Sequence, residues 1–267
     1  MGDLKKRFLS ALVFGPLVAL LFLFLEQKLF LLFLALVLAI AVYEFSSMAA
    51  ASNPLLITLL AAASFVPLYG AGAAFYPLWL LFSPAVCLVV KMRVRHAETS
   101  SLNREIGRSI VVLVLAEVFL ALPLFFLYRL KELNRLLPLV LLLTIWASDT
   151  AAYLLGKSMG RHKLAPLISP KKTCEGLLGA LIGAALVIFL FKSRLGVTLP
   201  VSIGAGLVIG ALGQLGDILE SIAKRVCEVK DSSGLIPGHG GLLDRVDSFL
   251  LTAPFMYYYF SAHQVMS

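Results

Sequence analysis

Long apolar runs separated by short polar breaks set the pattern of this chain. Runs end near Leu25, span about Leu29 to Ala49, Pro54 to Tyr69, Phe75 to Val90, Ser109 to Tyr128, Leu136 to Leu155 and Leu177 to Phe191, and then begin near Pro200 and at Phe249 to Phe260. Most are close to the roughly 20 residues that carry a helix across a hydrocarbon layer. The expected fold is all-α, a polytopic integral membrane protein of about nine transmembrane helices. The first run follows Lys5, Lys6 and Arg7 and lacks a convincing small-residue cleavage site, so it reads as an uncleaved first span.

Polar residues inside such runs are costly, roughly 2.5–3.5 kcal/mol for a charge at mid-helix on insertion scales, and so call for a partner or a wet cavity. Glu44 interrupts the second run, Glu117 the fifth, and Ser148, Asp149, Thr150 and Tyr153 the sixth. Asp149 is the strongest site candidate among them. A basic, polar loop is expected over Lys91 to Arg108. The sequence Ser169-Pro170-Lys171-Lys172-Thr173 reads as a loop entering a helix whose free N–H groups suit a phosphate.

The densest polar stretch is Gly213 to Asp247, which holds six of the 15 Asp and Glu residues. On a helix, Asp217, Glu220, Ser221 and Lys224 stand at i, i+3, i+4 and i+7 and share one face. The helix is expected to stop between Ser232 and Gly241, where glycines and Pro237 favour a loop carrying His239. Asp244 and Asp247 follow at i, i+3 on a short turn. Clustered carboxylates in an apolar setting need neutralising, and hard oxygen donors without a Cys or His set favour Mg²⁺. The candidate ligands are Asp217, Asp244 and Asp247, with Asp149 and Asp231 available for a second cation or for ordering the loop. Lys224, Arg225, Lys230 and Arg245 alongside them suit phosphate, so the residues point to phosphoryl or nucleotidyl transfer.

Composition agrees. The 267 residues are 60% hydrophobic and 14% charged, against about 25% charged in soluble domains. The net charge of +8 does not indicate nucleic acid, because the cations sit in short connections between apolar runs. With the amino terminus inside, most of the 23 Lys and Arg fall on inner connections, which puts the loops after the sixth and eighth spans in the cytoplasm. The three cysteines are scattered and define neither a disulfide framework nor a metal knuckle.

The pattern S-x-x-K-R-x4-K-D-x-x-G-x-x-P-x-H-G-G-x-x-D-R-x-D, from Ser221 to Asp247, resembles the signature of the phosphatidate cytidylyltransferases, or CDP-diacylglycerol synthases. The Ser169 to Thr173 segment with Glu175-Gly176 is similar to the same family. The resemblance covers the carboxy-terminal half in motif and the rest in hydrophobicity. It implies CTP and phosphatidic acid as substrates, CDP-diacylglycerol and pyrophosphate as products, and Mg²⁺ as cofactor.

On this reading residues 1–267 are one transmembrane domain, with 1–135 as scaffold and 136–267 carrying the site. Asp217, Lys224, Arg225, His239, Asp244, Arg245 and Asp247 are the expected catalytic set. Lys171, Lys172, Thr173, Ser221, Lys230, Gly240 and Gly241 are the expected substrate-binding set. Membrane lipids are expected neighbours, a homodimer is compatible with the reading, and the expected location is a bacterial inner membrane with the site facing the cytoplasm. Rival readings are another lipid phosphotransferase, of polyprenol or CDP-alcohol type, and an ion-coupled transporter. Against the transporter, the charge gathers at one face and not at the midplane.

Overall fold

The computed structural model of the chain describes residues 15–71, 76–94, 99–235 and 240–263, with side chains throughout except at 71, 93–94 and 99–103. The elements are α1 (Gly15–Phe24), α2 (Gln27–Met48), α3 (Pro54–Ala63), α4 (Phe65–Ala71), α5 (Tyr76–Val94), α6 (Thr99–Ala116) and α7 (Leu122–Leu133). They continue with α8 (Leu137–Met159), β1 (Lys163–Ala165), β2 (Ser169–Thr173), α9 (Cys174–Leu195), α10 (Leu199–Val226), α11 (Leu243–Val246) and α12 (Phe249–Ala262). Among the described residues, five helical stretches are long and apolar enough to cross a membrane: 27–48, 104–133, 137–159, 174–195 and 199–226. The protein is a helical membrane protein. The other expected spans form shorter apolar helices.

α8, α9 and α10 pack as one sheaf, α12 closes against α10 and α7, and α2 joins α3, α6 and α7. Small residues set the closeness of the sheaf. A Cβ at Gly206 would lie 2.3 Å from the Cα of Ala185, and one at Gly179 would lie 2.5 Å from the Ala151 carbonyl oxygen. In the other half Phe30, Leu34 and Leu38 of α2 are buried with Leu127 and Leu130 of α7. Lys131 is buried too. Its Nζ donates to the Phe22 carbonyl at 2.8 Å and lies 4.4 Å from the centre of the Phe30 ring, which ties α7 to α1.

Two polar breaks resolve as packing contacts. Between α6 and α7 the chain widens into a π turn, Glu117–Ala121. There the fully buried Glu117 carboxylate accepts from Trp79 Nε1 at 3.0 Å and Ser83 Oγ at 2.9 Å. The loop expected over 91–108 is shorter than read. α5 runs to Val94 and α6 starts at Thr99, while Lys91 is buried and donates to Ser52 Oγ and Ser109 Oγ, each at 2.6 Å.

Near the site two further boundaries differ from expectation. Ser169 to Thr173 is a strand paired antiparallel with β1, since Pro170 and the extended approach to α9 suit a β conformation. The polar helix ends at Val226, ahead of the glycine-rich stretch, because Glu228 takes a left-handed φ of 58°. At 28 residues α10 is about 42 Å long, well beyond a hydrocarbon layer of about 30 Å. Its last turns are therefore free to carry polar chemistry at one end of the bundle.

Candidate active site

The site forms where β2, the last turns of α10 and the α11–α12 junction meet. Thr173 caps α9 with its hydroxyl, accepting from Gly176 N at 3.0 Å, and so fixes where β2 stops. Side chains alternate along a strand, so Lys171 and Lys172 face opposite ways. Lys171 is exposed, while Lys172 turns to α10 and donates to Asp217 Oδ2 at 2.9 Å and to the Gln214 carbonyl at 3.2 Å. Gln214 Nε2 in turn reaches Asp149 Oδ1 of α8 at 3.4 Å. Three elements thus converge on Asp217.

α10 approaches the α11–α12 junction so closely at Gly216 that a Cβ there would lie 2.5 Å from the Asp247 carbonyl oxygen. That contact sets Asp217 and Asp247 on either side of Ser248. Ser248 Oγ donates to Asp217 Oδ1 at 2.8 Å and lies 3.4 Å from Asp247 Oδ1, which also accepts from Ser248 N at 2.7 Å. One hydroxyl proton serves two carboxylates, so negative charge is left over. Asp247 shows it. Burial, the charges of Asp217 and Glu220 and that of Asp149 together push its carboxyl well above the ordinary range, against the opposing Ser248 N–H.

Asp244 belongs to a neighbouring cluster. Lys224 Nζ pairs with Glu220 Oε2 at 2.5 Å and Asp244 Oδ1 at 2.7 Å, and Asp244 Oδ2 accepts from Gly241 N at 2.8 Å and Ser232 Oγ at 3.0 Å. Burial would raise the Asp244 carboxyl, but the Lys224 ammonium and the hydrogen bond from Gly241 N outweigh it and hold the group well below the usual carboxylate range. Glu220 Oε1 is buried without a hydrogen-bond partner among the described residues. Gly240 has a φ of 78°, a conformation that favours glycine, and a Cβ there would press on Asp244 Oδ2.

The remaining expected residues are mostly more open to solvent, and the charge of Arg245 reaches Asp149. Ser221 is half-buried on α10, while Lys230, Asp231 and Arg245 are exposed. Arg225 is exposed and donates to the Val229 carbonyl at 3.3 Å. His239 lies outside the described residues. Glu44, noted in the sequence only as a costly carboxylate, proves to join this region. Its oxygens accept from Ser233 Oγ at 2.6 Å and from the backbone N–H of Leu243 at 2.8 Å. The signal was the charge in an apolar run; its partners, almost 200 residues away, were not visible.

Among the described residues no three His, Cys, Asp or Glu side chains form a ready metal set. Mg²⁺ is commonly held by only one or two carboxylates, with waters and substrate phosphates completing its shell. Asp217 and Asp247, with one proton between them and excess charge, are hard oxygen donors that fit such an ion.

A cavity of about 870 Å³ adjoins this region between α2, α6, α10 and the α11–α12 junction. Phe45, Met48, Val111, Leu219 and Ile222 line it, with Glu220 and Leu243 on the site side and the exposed Arg108 also on its wall.

Helices of membrane length thus bring lysines and carboxylates together at one end of the bundle, next to an apolar cavity. The chain belongs to the cytidylyltransferase family, whose model matches residues 5–263. Among its relatives, a phosphatidate cytidylyltransferase of Staphylococcus aureus (strain COL) is 46% identical over 116 residues, 43% of this chain and 45% of the relative. One of Bacillus subtilis (strain 168) is 45% identical over 116 residues, 43% of each chain. The matched stretch spans less than half the length of these relatives.

Proposed function

We propose that this protein is a phosphatidate cytidylyltransferase, joining CTP and phosphatidic acid to give CDP-diacylglycerol and pyrophosphate in phospholipid biosynthesis. A phosphate oxygen of phosphatidate bonds to the α-phosphorus of CTP, and the bond from that phosphorus to the α–β bridging oxygen breaks. Pyrophosphate leaves with the electron pair. The attacking phosphate monoester is largely ionised at neutral pH, so no strong general base is needed.

The observation that carries the reading is the convergence of Lys172, Asp217 and Asp247 at the end of α10. Lys172 is half-buried on Asp217 and is placed to exchange that carboxylate for a phosphate oxygen. Lys224, fixed by Glu220 and Asp244, keeps a second positive charge at a set point with little reorganisation. Mg²⁺ held by Asp217 and Asp247 would neutralise charge on the phosphates when bound, with Asp149 close enough to serve a second cation. Gly240 and Gly241 let the backbone pass close to Asp244, and His239, next to Gly240 in sequence, is a candidate hydrogen-bond donor to a phosphate.

The apolar cavity supports a lipid substrate. It is continuous with the site through Glu220 and Leu243, and Arg108 on its wall complements an anionic headgroup, so we assign it to the acyl chains of phosphatidate. The distribution of Lys and Arg supports a cytoplasmic site in a bacterial inner membrane, where CTP is available. Purified protein incubated with radiolabelled CTP, phosphatidate and Mg²⁺ is expected to form a labelled liponucleotide. Labelled product from ATP alone, or none from CTP, would overturn the proposal.

A further inference from the structure

Glu44 stands on α2, in the half of the chain read from sequence as scaffold, yet its carboxylate is buried with 5% exposure against the site. Oε1 accepts from Ser233 Oγ at 2.6 Å and Leu242 N at 3.1 Å; Oε2 accepts from Leu243 N at 2.8 Å and Ser232 Oγ at 3.3 Å. One carboxylate therefore holds both stems of the segment that leaves α10 and returns at α11. The fit is close. A Cβ at Gly241 would lie 2.5 Å from Glu44 Oε2 and 2.0 Å from Ser232 Oγ, so glycine is what lets the backbone pass between them.

The stems are also those of the Asp244 cluster. Ser232 Oγ reaches both Glu44 Oε2 and Asp244 Oδ2, and Gly241 N donates to Asp244 while the next two N–H groups donate to Glu44. Two carboxylates from opposite ends of the chain thus share one short piece of backbone, and Asp244 in turn fixes Lys224. Charge-assisted hydrogen bonds to N–H and hydroxyl groups are roughly twice as strong as neutral ones, and removing one partner of a buried charge is costly. Burying a charge on a bilayer-length helix is expensive. Three donors from one segment, Ser233 Oγ and the Leu242 and Leu243 N–H groups, supply the compensation, with the single Ser232 hydroxyl proton shared between Glu44 and Asp244.

We infer that Glu44 is a positioning residue for catalysis: by clamping the two stems of the 232–243 segment it sets Asp244, and through Asp244 the Lys224 ammonium, in register with Asp217 and Asp247. For its kinetic consequence this rests on the proposed nucleotidyl transfer, while the clamp itself is independent of the substrate. Glu44→Gln keeps the shape but replaces one accepting oxygen with a donor that confronts N–H and O–H groups. Ser233→Ala loosens the same clamp from the loop side without altering α2.

The test places a reporter cysteine at Leu235, with Cys174 and Cys227 changed to serine, and compares maleimide labelling and turnover in this parent, in Glu44→Gln and in Ser233→Ala. Detergent-solubilised protein is first checked for an unchanged elution profile and thermal midpoint. Expected for Glu44→Gln are faster labelling at position 235 and a fall in kcat on the order of tenfold or more, with KM for CTP changed much less. Ser233→Ala should show the same pattern more weakly. The double variant should be little worse than Glu44→Gln, because the two groups share one bond. An unchanged labelling rate in both variants, or faster labelling with turnover at the parent's value, overturns the inference. If the parent makes no liponucleotide, the proposed activity fails, and the labelling arm still decides the clamp. If Glu44→Gln does not fold, Ser233→Ala decides alone.

Discussion

Lys172 Nζ lies 2.9 Å from Asp217 Oδ2, so a strand cation meets a helix carboxylate 45 residues further along the chain. Its neighbour Lys171 is exposed on the other face of β2. The two lysines, equivalent in sequence, should therefore separate in function. Lys172→Ala is expected to lower turnover on the order of 10²-fold, the scale of losing one preorganised charge at a developing phosphate. Lys171→Ala should cost no more than a few-fold. Steady-state kinetics with saturating CTP checks both, and equal losses would mean that Lys172 is no closer to the chemistry than its neighbour.

The split between Asp247 and Asp244 gives opposite behaviour with pH. Asp247 is held above the ordinary carboxylate range, by burial first and then by Asp217 and Glu220. An acid raised in the fold contributes stability that is complete below its ordinary pKa and is lost as pH rises through the folded-state value. Asp244 is depressed, so its contribution is present above the ordinary range and is lost as pH falls through its lower folded-state value. Only ionised Asp247 can ligate a cation. The Mg²⁺ concentration for half activity should thus rise as pH falls through the Asp247 transition, by up to about tenfold per pH unit for one proton displaced. Asp217→Asn and Asp247→Asn should each raise that midpoint at fixed pH, whereas Asp244→Asn should lower turnover with a smaller shift. Identical Mg²⁺ titrations in all three, measured on folded protein, would remove Asp217 and Asp247 as ligands.

The helices around the site were legible because long apolar runs leave few alternatives in a bilayer, and the polar face of α10 because i, i+3, i+4 spacing fixes a face. Spacing does not name partners. It could not reveal that Lys224 would draw Asp244 away from Asp217 and Asp247, since that depends on where the chain returns after Gly241. The β1–β2 hairpin was hidden for another reason: strands of three and five residues carry too little periodicity to stand out from a loop. Glu44 and Glu117 looked alike in sequence as single carboxylates in apolar runs. Only their surroundings differ, with Trp79 and Ser83 enclosing one and the 232–243 stems binding the other.

Orientation can be tested at two points. Cysteine at position 235, in the segment after α10, should react with a membrane-impermeant maleimide added to the cytoplasmic side of inverted vesicles, and cysteine at Gln27, the first residue of α2, should react from the opposite side. Reaction of position 235 from outside would deprive the site of cytosolic CTP and sink the proposed orientation.

The cavity beside Glu220 gives a prediction that separates lipid binding from chemistry. Ile222 points into it from α10, one turn from the site face, and is 38% exposed, so a larger side chain there can extend into the cavity without entering the bundle core. Ile222→Trp should therefore exclude part of an acyl chain while leaving the Lys172–Asp217 and Lys224–Asp244 pairs intact. The KM for a long-chain phosphatidate is expected to rise several-fold, and the KM for CTP should stay at the parent value. A short-chain phosphatidate, which needs less of the cavity, should recover most of the loss. The asymmetry is the informative part, because one or two displaced methylenes are worth about 0.8 kcal/mol each and act on binding of the tail alone. Equal effects on long and short chains would mean that the acyl groups lie elsewhere, along the outer faces of the helices.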